Sequence, residues 1–157
     1  MTQQPGTAST MPGAAESADS KARVAAAWRA FGSRDAATIA AVLTPDAEWL
    51  APPQNATAMA IDGNSHLVGR ERIIRFLVSE FHEVFTAPSM SVRSMLADGT
   101  TVVTETTFRA TLPNGGAYEN DYCFIFELRD GLVHRVREYM DTRRGAELFA
   151  RDRAAAG

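Results

Sequence analysis

Residues 100–142 read TTVVTETTFRATL (100–112), PNGG (113–116), AYENDYCFIFEL (117–128), RDG (129–131) and LVHRVREYMDT (132–142). Each long run is rich in Val, Thr, Phe, Tyr and Ile, and each break holds the Pro, Asn, Asp and Gly that tight turns need. Before them SVRSMLA (91–97) leads into Asp98-Gly99, so four long strands are predicted to follow one another as an antiparallel meander.

Upstream of Ser89 the period changes to that of helices. Val24, Trp28 and Phe31 recur at helical spacing behind possible N-caps at Ser17 and Ser20, and Gly32 stops the run. Asp35 is placed to cap a second, shorter helix with Ile39, Val42 and Leu43 as its apolar stripe, ended at Thr44-Pro45. DAEWLAP (46–52) reads as a short strand, followed by about fifteen residues of loop composition. Gly69 then precedes RERIIRFLVSEFHEVF, whose Ile73, Ile74, Leu77, Phe81 and Phe85 mark the buried side of a third helix ending before Pro88. Three helices ahead of a meander predict an α+β domain and argue against a doubly wound sheet. RRGAELFARD is read as a short terminal helix. The chain of 157 residues supports one core. The expected organisation is a disordered tail over 1–18, a single domain over 19–152 and a tail over 153–157.

Bulk composition narrows the function classes. A formal net charge of −3, with the charged side chains scattered, offers no electrostatic footprint for a nucleic-acid backbone or an anionic membrane. No apolar run approaches the roughly 20 residues that cross a bilayer, and the N-terminus lacks a signal-peptide pattern. Cys123 is the single cysteine, which fits a reducing cytoplasm and leaves no thiolate pair for zinc. On its strand it reads as a packed side chain. No histidines stand at metal-ligand spacing, and neither GxGxxG nor GxxxxGK[ST] occurs. The expectation is no metal, no cofactor and a small apolar molecule as partner.

DAEWL, VGRERIIRFL and LPNGGAYENDYCFIFELRDGLVHRVREYMD, in that order, resemble the nuclear transport factor 2-like superfamily of ketosteroid isomerases, SnoaL-like polyketide cyclases and limonene epoxide hydrolases. The resemblance spans roughly residues 20–150. It implies a cone, a cystatin-like roll in which a curved, mostly antiparallel sheet wraps around about three N-terminal helices, a pocket between sheet and helices, and frequent homodimers through the sheet. The ending Tyr-x-Asp is similar to that of limonene epoxide hydrolase and puts Asp141 on that family's second catalytic aspartate. The rest of that family's water-activating set is not reproduced: Glu105 and Thr107 stand where its arginine and first aspartate are expected, and Trp49 and Ala51 where its tyrosine and asparagine are. The implied function is a cofactor-independent acid/base enzyme, an isomerase or polyketide-type cyclase acting on a small apolar carbonyl compound. An epoxide hydrolase and a non-catalytic binding or association module are the alternatives.

Asp141 is the first candidate base, since a carboxylate at the end of a strand and held in apolar surroundings gains proton affinity. Its other reading is a cap on the terminal helix. Glu105 shares a strand face with Val103 and Thr107; it either pairs with Asp141 as acid and base or faces outward against Arg109, Arg135 or Arg137. Tyr139, Tyr122 and Asn120 are candidate donors to a developing oxyanion, and His66, in the long loop, a candidate acid or base. Trp28, Trp49, Phe76 and Phe81 are candidates for cavity wall as well as core. His82 and His134 are expected to be exposed.

Overall fold

A computed structural model describes residues 12–157. Helix α1 covers Pro12–Gly32, α2 Ala36–Ala40, strand β1 Leu43–Leu50, α3 Ala56–Ile61 and β2 His66–Val68. Next come α4 (Arg70–Arg75), a π-helical segment (Phe76–Glu80) and α5 (Phe81–Val84) in one continuous rod. The meander is β3 Thr86–Asp98, β4 Thr101–Thr111, β5 Ala117–Arg129 and β6 Leu132–Met140, and α6 Thr142–Ala154 closes the chain. The six strands form one curved, unclosed sheet in the order β2-β1-β6-β5-β4-β3. Only β1 against β6 is parallel; the remaining pairs are antiparallel.

The meander forms as the turn chemistry predicts. At the β5–β6 turn Asp130 and Gly131 both take positive φ (53° and 76°), the pair of left-handed residues that a tight hairpin with matching twist requires. Along β5 burial alternates without a break. Tyr118, Asn120, Tyr122, Phe124, Phe126 and Leu128 face inward and are buried, while Glu119 and Asp121 face out. On β4 the inward set is Val102, Thr104, Thr106 and Phe108.

The concave side is filled by α1 and the α4–α5 rod. Val24, Ala27, Ile73 and Ile39 are fully buried there. Trp28 stands edge-on to Phe124 and Phe126, with ring centroids 4.8 and 5.3 Å away, a geometry that adds to the area it buries.

Several boundaries differ from the sequence reading. Helix α1 starts by Pro12, so residues 12–18 of the expected disordered tail are helical; the rest of that tail lies outside the described residues. The physical reason is a tertiary tie, since Ser17 Oγ accepts from Gly99 N at 3.0 Å and Ser20 is buried. Asp35 does cap α2, but Leu43 already belongs to β1, where its side chain is fully buried. The long segment read as loop contains α3, capped by Asn55 through Ala58 N at 3.0 Å, and the edge strand β2. Helix α6 extends to Ala154, past the boundary set at 152. No described helix is long and apolar enough to cross a membrane.

Candidate active site

Between the sheet and the helices lies a chamber of about 210 Å³. Trp28 and Phe31 come from α1, Trp49 from β1, Phe76 and Leu77 from the π segment, Phe108 from β4, and Tyr122 and Phe124 from β5. The π segment widens one turn of the rod, and its Phe76 and Leu77 both reach the chamber. Among these aromatic walls a single carboxyl group, that of Glu138 on β6, faces the chamber.

A β-bulge turns Glu138 inward. Leu128 pairs with Val133 and Glu127 with Arg135, so His134 is an extra residue on β6. The parity flips across it: Val133 and Val136, three positions apart, are both buried, and Glu138 follows Val136 onto the concave side. There it sits opposite Phe124 in register. Trp49 Nε1 donates to Glu138 Oε2 at 2.7 Å. Removal from water pushes the carboxyl up to about 7, against the lowering effect of the Trp49 bond. Half-ionised near neutral pH, such a group can give or take a proton.

Beside it is a chain of neutral donors. Asn120 Nδ2 donates to Tyr118 Oη at 3.3 Å and to the Asp141 carbonyl at 2.9 Å. The Tyr118 and Tyr122 hydroxyls are 2.8 Å apart. Burial raises the pKa of Tyr118, and raises that of Tyr122 further, with the neighbouring Tyr118 and Glu138 adding to the latter. Both phenols therefore keep their protons. Also on the chamber wall, His82 packs edge-on against Phe81, and burial followed by nearby Arg34 lowers its pKa. On the far side of Glu138 a smaller annex of about 40 Å³ shares Trp49, Thr57, Phe76 and Glu138 with the chamber.

Of the residues singled out in the sequence, Trp28, Trp49, Phe76, Phe81 and Tyr122 line the chamber. Asn120 is buried behind Tyr122 and reaches the chamber only through the tyrosine chain. The others lie elsewhere. Asp141 is exposed and accepts from Arg144 N at 2.9 Å as the N-cap of α6, because β6 ends at Met140. Glu105 faces the convex side, where it meets Arg93 and Ser94, each at 3.3 Å, and none of the three arginines expected. It cannot pair with Asp141 across a sheet whose concave side holds Thr104 and Thr106. Tyr139 is half exposed, since the bulge that turns Glu138 in turns it out. His66 stands on the edge strand, exposed, with Nε2 2.8 Å from Glu48.

His82 and His134 are both less open than expected: His82 lines the chamber, and His134 Nδ1 lies 3.2 Å from Thr44 Oγ1. Glu138 was missed by the sequence reading. The available signal was the Val136-x-Glu138-x-Met140 alternation against Arg135 and Arg137, which is out of phase with Val133. No group of three or more His, Cys, Asp or Glu side chains among the described residues is arranged to hold a metal ion.

The profile of the SnoaL-like domain family matches residues 24–136. No curated protein matches the chain. Among solved structures it is similar to TerC co-crystallised with polyporic acid, at 23% identity and a TM-score of 0.73, over 84% of this chain and 98% of that one. An NTF2-like protein from Burkholderia xenovorans LB400 is 20% identical with a TM-score of 0.70, over 84% and 96%. An LEH-like epoxide hydrolase from M. tuberculosis is 22% identical with a TM-score of 0.67, over 90% and 96%. At these identities the likeness is one of fold.

Proposed function

Since the chain belongs to the SnoaL-like domain family, we propose that it is a cofactor-independent acid/base enzyme, an isomerase or polyketide-type cyclase, that moves a proton on a small apolar carbonyl compound held in the chamber. The observation that carries this reading is the Glu138 carboxyl among aromatic walls, with its pKa raised to about 7. As a carboxylate, Glu138 takes the proton from the carbon next to the carbonyl. Tyr122 donates to the carbonyl oxygen as negative charge gathers there. Asn120 donates to Tyr118, leaving the Tyr118 proton for Tyr122 and the Tyr122 proton for the ligand. The enolate then either recovers the proton at another carbon from Glu138, which isomerises it, or attacks a second carbonyl carbon of the same molecule, whose oxygen becomes a hydroxyl by taking the proton from Glu138 as the ring closes. Trp49 holds Glu138 in place and steadies its ionised form.

The test is a panel of cyclic ketones and enones incubated with the protein in D2O and read by mass spectrometry. The expected result is deuterium at the carbon next to the carbonyl, at a rate that falls about 100-fold or more in Glu138→Gln. Equal exchange by the two proteins would end the proposal.

A hydrolytic reading draws on the likeness in fold to the M. tuberculosis epoxide hydrolase and on the annex beside Glu138. It predicts solvent oxygen in the product and no exchange at carbon. A binding module predicts neither.

A further inference from the structure

Glu138 is reached from two sides. Toward the sheet's curvature it meets the apolar chamber; behind the wall made by Trp49, Thr57 and Phe76 it meets the annex. The two spaces differ in chemistry. The annex adds the polar side chains of Asn55, Asp62, Asn64, Ser65 and Arg72 to walls that are otherwise largely apolar. Asp62 and Asn64 are exposed, so it opens to solvent at the turn between α3 and β2. That turn is firmly built: Asp62 Oδ1 accepts from Asn64 N at 2.9 Å, and Arg72 bridges Asp62 and Glu80 at 2.7 and 2.9 Å. Its volume of about 40 Å³ admits two or three water molecules, since one needs about 10–15 Å³ of such space. A space of that size, with polar side chains on part of its wall and an opening to solvent, can take up water, whereas an apolar ligand that fills the chamber drives water out of it.

We infer that the annex is a hydrated side channel through which Glu138 exchanges its proton with solvent while the chamber is occupied by an apolar ligand. The protonated carboxyl gives its proton to an annex water, which hands it outward past Ser65 and Asn64; the carboxylate is reprotonated by the reverse path. The ionisable groups around Glu138 are the Tyr118 and Tyr122 phenols of β5, His82 of α5 across the chamber, and Asp62 and Arg72 at the outer end of the annex. The last two are ion-paired. The inference rests on Glu138 being the proton carrier proposed above. It adds that a proton taken from carbon is not confined to the bound molecule, so an isomerised product acquires hydrogen from solvent.

The two tryptophans permit a test without a known substrate. Trp28 lines only the chamber, while Trp49 touches both spaces and bonds Glu138. In protein labelled with 15N at tryptophan, two indole signals are read, with toluene as the apolar probe for the chamber. Where toluene fails to move the Trp28 signal, Leu77→Trp fills the chamber in its place, its own third indole signal being recognised by its absence from the native spectrum. The annex is plugged by Ala58→Leu, or by Ser65→Leu if the first variant does not fold.

With the chamber filled, magnetisation transfer from water to the Trp49 indole proton is expected to stay within about twofold of its starting value, and to fall about tenfold or more once the annex is also plugged. Plugging the annex alone should leave it high. Loss of transfer on filling the chamber of the native protein overturns the inference, as does undiminished transfer with both spaces filled. A Trp49 signal that does not titrate near neutral pH would instead sink the assignment of Glu138 as proton carrier, so the two failures are distinct.

Discussion

Replacing Glu138 by Gln should change how stability depends on pH. In the folded protein the carboxyl titrates at about 7, against an ordinary value of 4.5. Below about pH 4.5 the group is protonated both folded and unfolded, and its burial as a neutral acid carries no ionic cost. As pH rises from 4.5 to 7 the unfolded chain gives up its proton first, and the folded state loses ground. Above 7 the buried group ionises and the loss levels off.

The interval of 2.5 pH units, at 1.36 kcal/mol each, amounts to about 3 kcal/mol. This is an upper bound, because the carboxyl's residual exposure opens on the chamber and the annex. Gln keeps the shape and cannot ionise, so the difference in unfolding free energy between native protein and Glu138→Gln isolates this one group from the carboxylates whose pKa is lowered, such as Asp62 and Asp121. Urea denaturation from pH 4.5 to 8 is the assay. Relative to native protein, the variant should gain up to about 3 kcal/mol across that range, most of it between pH 5 and 7. Stability curves that run parallel within about 0.5 kcal/mol would refute the claim that Glu138 is held away from water.

Trp49→Phe deletes the only bond that lowers the Glu138 pKa; the midpoint should climb above 7, read from the carboxyl 13C shift, with a stability loss of about 1–3 kcal/mol at pH 8. Asp141→Ala removes the α6 cap and should cost about 1 kcal/mol in urea unfolding while leaving deuterium exchange on any active ketone unchanged. The exposed Leu96 and Tyr139 on the convex side of the sheet are the basis for proposing a homodimer there. Leu96→Lys combined with Tyr139→Lys should halve the mass found by sedimentation equilibrium; an unchanged mass would place any dimer contact elsewhere.

The long strands were legible because alternation and turn residues act over a few neighbours. Asp98-Gly99 and Asp130-Gly131 set their hairpins whatever the rest of the chain does. The chamber's aromatic wall was legible too, since Trp28 and Trp49 must be buried somewhere. The carboxylate was not, for a physical reason. Which side of β6 faces the helices depends on the extra residue at His134, a matter of pairing with β5 that β6 does not encode alone. Asp141 looked equally suitable in sequence, but the strand stops one residue before it and its oxygen is used to start α6. Likewise, α1 begins by Pro12 in residues of weak local preference because Ser17 meets the β3–β4 turn, a contact with residue 99 that composition cannot reveal.

The extra residue in β6 works like a half-twist in a ribbon. Were His134 paired in regular alternation instead of bulged out, the strand would present Tyr139 to the interior and send Glu138 out among the arginines, leaving outline, helices and turns as they are. Proteins of nearly identical silhouette can therefore differ in whether they hold an acid at all, and the pairing of the closing strand with its neighbour, bulged or regular, is the first thing to compare among them.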